Sequence, residues 1–97
     1  MDMQIYQALN MTEDFWEIGD ETAIVTTESG GRYIVQPDGT VTGGSNQVNG
    51  VRLNGAVYRP GGPIRTKVVV YGLRMELAEP GRLTVTVTTP VVSIENA

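Results

Sequence analysis

The chain has 97 residues, no cysteine, no histidine and a formal net charge of −4. Its length suits one domain and is too short for two domains with separate cores. The missing side chains exclude disulfides, thiolate and imidazole metal sites, and the commonest nucleophilic and acid–base catalysis. We therefore expect one domain over residues 1–97, with no cofactor and no bound metal.

Charge divides the chain into two unequal parts. The first 31 residues hold seven acidic side chains and no basic one, and the remainder holds seven basic and four acidic side chains. These parts carry −7 and +3, which sum to −4. A secretion signal begins with basic residues, and no apolar run is long enough to cross a bilayer as a helix. We therefore expect a cytoplasmic protein without membrane contact.

Residues 1–21 form an acidic N-terminal segment whose secondary structure is ambiguous. Residues 3–9 fit the spacing of a strand and also that of a helix, and we favour a strand. The sequence Thr12-Glu13-Asp14 resembles a helix N-cap followed by acidic residues in the first turn. It predicts a single short helical turn that includes Phe15 and Trp16 and ends at Gly19.

Residues 22–97 form a body of short strands and turns. Val, Ile, Thr and Tyr fill the runs between glycine and proline, which is the composition of half-buried strands. Residues 23–28 and 32–36 form a hairpin around the turn at 29–31, and residues 40–42 extend it to three strands. Residues 43–50 and 59–63 are the predicted loops.

Two glycine positions carry specific predictions. Asn54-Gly55 is the strongest short hairpin signal in the chain and predicts a turn between strands 51–53 and 56–58. Gly72 has no turn partner, so it marks a bulge or a bend where one long strand, 68–77, passes between two sheets.

Residues 73–88 alternate between apolar and polar side chains and predict a hairpin. An odd loop of three or five residues would place all the apolar members on one face. This core-facing set is Leu73, Met75, Leu77, Leu83, Val85 and Val87. With about seven short strands in all, the chain is predicted to be all-β, either a small, partly open antiparallel barrel or a two-sheet sandwich.

Two groups of residues are candidate binding sites. Every charged side chain between residues 39 and 75 is basic, and tyrosines are interleaved with them. We name this set the basic patch: Arg52, Tyr58, Arg59, Arg65, Lys67, Tyr71 and Arg74. The second set is acidic and aromatic: Glu13, Asp14, Phe15, Trp16 and Glu17. The acidic segment either packs on the basic strands and neutralises them or faces a separate partner.

Three functions follow from these residues. The leading hypothesis is a non-enzymatic interaction module that binds a protein partner or self-associates through strand edges, with the edges around Ile5 and Val91 to Ile94 as candidates. The alternative is a binder of phosphate ligands or single-stranded nucleic acid through the basic patch, which the net negative charge opposes. A carboxylate-dependent hydrolase is the weakest alternative, since Glu13-Asp14 and Asp20-Glu21 resemble a solvated acidic turn. At least one of Phe15 and Trp16 is better explained as a core residue than as a binding anchor.

Overall fold

The computed structural model describes residues 15–19, 21–44, 48–79, 81 and 85–96. These residues form nine strands and no helix. In chain order the strands are β1 (Phe15–Glu17), β2 (Ala23–Thr27), β3 (Arg32–Val35), β4 (Thr40–Gly43), β5 (Val48–Val57), β6 (Ile64–Thr66), β7 (Val68–Val70), β8 (Arg74–Ala78) and β9 (Val85–Asn96).

Six of the strands close into an antiparallel barrel. The ring runs β4-β3-β2-β9-β8-β5, and pairing between β4 and β5 closes it. Strand β6 adds to β5 outside the ring, and β1 pairs with β7 in a separate two-stranded sheet. The all-β prediction and its barrel alternative are confirmed, and the described ring is closed where a partly open barrel was expected.

Two long strands hold the ring together because each changes partner along its length. Residues 85–90 of β9 pair with β8, whereas residues 91–96 pair with β2. Pro90 lies at this change; it has no N–H to donate, and its carbonyl accepts the Glu28 N–H at 2.8 Å. On one edge, β5 pairs first with β4 and then with β6, while its other edge pairs with β8.

The first three strands of the barrel match the sequence prediction. Strands β2 and β3 form the predicted hairpin, with Ile24 opposite Ile34, and β4 extends it as the third strand. The loop at 59–63 also lies where it was predicted, between β5 and β6. The predicted 43–50 loop is shorter at both ends, since Gly43 ends β4 and residue 48 begins β5.

The predicted turn at Asn54-Gly55 is wrong, because β5 continues through both residues to Val57. The strand instead shifts register against β8 at this point and changes its other partner from β4 to β6. A Cβ on Gly55 would lie 2.8 Å from the Arg65 carbonyl carbon and 2.9 Å from the Thr66 Cα. Glycine is therefore needed here for close approach of β6 and not for a tight turn.

The hairpin between β8 and β9 exists, but the predicted faces hold for β8 only. Met75 and Leu77 are fully buried, whereas Val85 is 47% exposed. Ala78 pairs with Val85 and Leu77 with Thr86, so six residues connect the strands and the predicted odd loop is wrong. Because the connection has an even number of residues, Thr88 takes an inward-facing position on β9. Its hydroxyl accepts the Met75 N–H at 3.0 Å. Leu83 lies outside the described residues.

The residues around Gly72 join two sheets, as predicted, but the single long strand predicted over 68–77 is wrong, because a turn divides it into β7 and β8. Strand β7 pairs with β1 and strand β8 belongs to the barrel, so the segment between them crosses from one sheet to the other. It does so by a turn in which the Leu73 N–H donates to the Val70 carbonyl at 3.0 Å. Gly72 supports this turn with φ of 86°.

The helical turn predicted to include Phe15 and Trp16 is wrong, since both residues belong to β1. Trp16 lies opposite Val69 of β7, and both side chains join the main core. Burial against a strand partner outweighs the local capping signal, which is worth only about 1 kcal/mol. Trp16 is thus a core residue, as expected. Residues 3–9 and Thr12 to Asp14 lie outside the described residues.

We predict that Gly55→Ala lowers the free energy of unfolding by more than about 2 kcal/mol, because the added Cβ overlaps the β6 backbone. Gly50→Ala in the same strand is the matched control. It has φ of 72° with open space around its Cβ, so it should cost only about 1 kcal/mol of conformational strain. Urea unfolding measures both, and equal losses would contradict the close approach at Gly55.

The register of β9 is tested by replacing valine with aspartate at two positions of the strand. Val91→Asp should prevent folding, so that no cooperative unfolding transition is seen, because Val91 is 1% exposed and an unpaired charge would enter the core. Val85→Asp should change stability by less than about 1 kcal/mol, since its side chain is 47% exposed. Loss of the fold in the Val85 variant would show that the odd-loop register is correct after all.

Candidate functional site

The site is a groove of about 540 Å³ between the edge strand β6 and the end of β1. Three of its seven lining residues are apolar and four are polar or charged. Small-molecule pockets are lined predominantly by apolar and aromatic groups. The lining of this groove is therefore more polar than that of a typical small-molecule pocket. The lining residues are Glu17, Ile18, Ile64, Arg65, Thr66, Lys67 and Val68.

Strand β6 is short because the residues on both of its sides are unsuited to regular strand pairing. Pro63 precedes it and has no N–H to pair. Lys67 follows it with φ of 60°, which is the only positive φ of a non-glycine residue among those described. Ile64–Thr66 is therefore a three-residue edge.

The outer edge of β6 carries backbone groups that β5 does not use. The Arg65 carbonyl lies against Gly55, and the Lys67 N–H donates to the Asn54 carbonyl at 2.9 Å. In a trans peptide the N–H and the C=O point in opposite directions, so the N–H and C=O of Thr66 both point away from β5. Among the described residues neither group has a hydrogen-bond partner.

The backbone of Lys67 ties three strands together. Its N–H bonds to Asn54 of β5, and its C=O accepts the N–H of Ile18, just after β1, at 3.0 Å. The Asn54 side chain in turn donates to Glu76 Oε2 of β8 at 3.0 Å. These contacts hold Lys67 in the left-handed conformation, which costs about 1–2 kcal/mol for a residue with a side chain. The side chain of Lys67 is exposed at the groove.

The structure divides the basic patch into separate surfaces. Arg65 and Lys67 line the groove, and Arg59 is exposed in the loop that precedes β6. Arg52 lies five residues before Val57 on β5, about 17 Å away along the strand. Since Val57 pairs with Arg74, the two arginines lie near opposite ends of the barrel wall.

Arg52 and Arg74 both donate to backbone carbonyls of the barrel. Arg52 Nη1 donates to the Asp38 carbonyl and Arg74 Nη1 to the Thr88 carbonyl, each at 3.2 Å. The hydrogen bond from the Thr40 backbone N–H holds the pKa of the Asp38 carboxyl below its usual value, and the charge of Arg52 lowers it further. These two arginines therefore take part in structural contacts.

The aromatic residues of the two candidate sets lie in different environments. Tyr58 is 57% exposed where β5 ends, and Tyr71 is 49% exposed in the turn between β7 and β8. Phe15 packs on a second small core that contains Val68 and Val70. Trp16 is buried in the main core.

Among the acidic members of the acidic and aromatic set, Glu17 is exposed and lines the groove across from β6. Glu13 and Asp14 lie outside the described residues. Sequence reasoning thus found three of the seven lining residues and missed four: Ile18, Ile64, Thr66 and Val68. The proline before a short β-branched run is the one signal that could have indicated an edge strand at Ile64.

The described residues offer few other sites. No three His, Cys, Asp or Glu side chains in the described ranges come together as a metal-binding group. Every buried side-chain nitrogen and oxygen in the same ranges has a hydrogen-bond partner. No helix of the described structure is long and apolar enough to cross a membrane. No family model, no curated protein and no solved structure matches this chain.

We predict that Lys67→Gly raises the free energy of unfolding by about 1 kcal/mol, because glycine adopts a positive φ without steric cost. Lys67→Ala removes the same amine but keeps the strained conformation, so its stability should match that of the parent chain. Thermal unfolding of the three proteins measures the difference. Equal stability of the Gly and Ala variants would show that no strain is stored at this position.

Proposed function

We propose that this chain is a non-enzymatic protein-interaction module that binds an extended segment of a partner by strand addition along β6. The observation that carries the proposal is the backbone of Thr66, whose N–H and C=O both point away from β5 without a partner among the described residues. Unpaired groups on a sheet edge are a template for another strand.

The surroundings of this edge support a peptide ligand. Ile64 is 37% exposed, and Ile18 and Val68 lie beside it in the groove, so an alternating strand could place apolar side chains there. Main-chain hydrogen bonds would supply affinity, and the side chains around them would supply specificity. Arg52 and Arg74 have backbone acceptors and lie apart, which weakens the case for one phosphate-binding patch.

The proposal is tested with three capped seven-residue peptides in which Val alternates with Glu, Gln or Lys. At least one should shift the Ile64 and Thr66 amide resonances of the ¹⁵N-labelled protein and slow hydrogen exchange at Thr66, because its N–H becomes bonded. The same peptide with N-methylated backbone amides should not bind. Absence of these shifts with all three peptides at millimolar concentration would overturn strand addition at β6.

A pair of variants separates the backbone from the side chain of Thr66. Thr66→Pro removes only an outward-facing N–H, a position where an edge strand tolerates proline, and it should reduce binding at least about tenfold. Thr66→Val keeps the backbone and should bind like the parent chain. The amide spectrum of each variant checks its fold, and the N-methylated peptide decides the question if the Pro variant does not fold.

A further inference from the structure

We infer that the segment bound at β6 is the N-terminal end of a partner protein, with its first residue opposite Thr66 and its free α-amino group beside Glu17. The inference rests on the proposed function, because it names which part of a partner chain the same edge accepts. It is carried by the position of Ile18, whose N–H already bonds to the carbonyl of the residue that follows Thr66.

The end of β1 closes the groove on one side of Thr66. The Lys67 N–H bonds to Asn54 of β5, whereas its carbonyl accepts the Ile18 N–H at 3.0 Å, and Ile18 faces β6 across the groove. An added strand with a residue opposite Thr66 would place its next residue about 3.3 Å further along, opposite Lys67. Ile18 already stands there. The bound chain must therefore end opposite Thr66 or turn away from the sheet at that point.

A second β6 does not satisfy this condition. Its chain continues through Pro63 on one side and Lys67 on the other, so neither side of the strand is a chain end. Pairing of two β6 strands through Thr66 would bring the backbone of one copy against Ile18 of the other. The edge therefore favours a terminal segment over an internal strand of a folded protein, this chain included.

Antiparallel pairing determines which end of the partner lies opposite Thr66. The antiparallel arrangement is slightly more stable per residue than the parallel one, and every described strand pair of this chain adopts it. Strand β6 runs toward Lys67, so an antiparallel partner runs away from Lys67 and begins opposite Thr66. The N-terminal residue therefore lies at the Ile18 end of the groove, and the following residues extend along β6 toward Ile64.

The hydrogen-bonding groups at this end of the groove suit an amino group better than a carboxylate. The backbone N–H groups of Ile18 and Lys67 both donate to carbonyls already. The Ile18 carbonyl and the Glu17 carboxylate have no hydrogen-bond partner among the described residues. An α-amino group brings three donors and a positive charge, and charge-assisted hydrogen bonds are roughly twice as strong as neutral ones.

The side chain of Lys67 is the one group at this end that opposes a positive charge. It is exposed, and its ammonium group is carried on a flexible four-carbon stem, so it can take up a position in solvent. A C-terminal carboxylate would have this single side chain as its donor and would face the charge of Glu17. The amino terminus is therefore the better fit.

The test compares four forms of the seven-residue peptide of alternating Val and Gln, each titrated into the intact ¹⁵N-labelled chain. The first has a free α-amino group and an amidated C-terminus, and the second differs only in lacking that amino group. The third is acetylated and amidated, and the fourth is acetylated with a free C-terminal carboxylate. The first form should bind about three- to tenfold more tightly than the other three, because it alone brings a cation to Glu17.

Two variants show whether Glu17 is the group that recognises the amine. Glu17→Gln should reduce the preference for the free amine to less than about twofold, since the carboxylate charge is lost. Glu28→Gln is the matched control, an equal charge change at an exposed position in the turn between β2 and β3, away from the groove. It should leave the preference unchanged. The amide spectrum of each variant checks its fold.

The outcomes distinguish this inference from the function on which it rests. Equal binding of the first two peptides, or an equal effect of Glu28→Gln, would overturn amine recognition while strand addition at β6 stands. Tighter binding of the fourth form than of the third would show that a C-terminal end is bound, which also contradicts the inference. A dimer in sedimentation equilibrium that Thr66→Pro dissociates would show that a second copy occupies the edge and would contradict it as well. No binding by any form would overturn strand addition itself.

Discussion

The close approach of the β6 backbone to Gly55 is the contact on which the outer part of this fold depends. At Arg52 the edge of β5 is still paired with β4, and from Gly55 onward it is paired with β6. A side chain at Gly55 would occupy the space of the Arg65 carbonyl. Because glycine stands there, one edge of β5 pairs with β4 in its first half and with β6 in its second, while the other edge stays paired with β8.

The path of the chain after β6 completes the core. It returns as β7, whose Val69 lies opposite Trp16, and both side chains join the cluster that fills the barrel. The opposite face of β7 places Val68 and Val70 against Phe15 and Ala56 in a second cluster. The groove is what remains between the end of β1 and the outer edge of β6, so the site follows directly from this excursion of the chain outside the ring.

Much of the architecture could be predicted from local sequence, and the errors have physical causes. The β2–β3 hairpin was predictable because its turn and its strands are adjacent in sequence. Asn54-Gly55 carries an equally strong local signal, but the partner that decides its conformation is β6, about ten residues further on. The faces of β9 were misassigned because six residues connect it to β8, where three or five were expected. An even connection turns the side chains of β9 to the opposite faces from those that an odd connection would give. The candidate site was only partly predictable, since Thr66 contributes backbone groups that no side-chain pattern reveals.

Closure of the barrel leaves β6 as an end of the described seven-stranded sheet, so the residues around β6 decide how that edge is protected. Pro63, the left-handed Lys67 and the charge of Arg65 are devices that protect edges from unspecific pairing. Pro63 and the left-handed Lys67 limit regular pairing to the three residues between them, so an added strand gains few main-chain hydrogen bonds there. The net charge of −4 acts at longer range, because it slows the approach of any partner that is also acidic. Since that field is screened within about 8 Å at physiological salt, protection of the edge depends on the residues around β6 and not on the net charge.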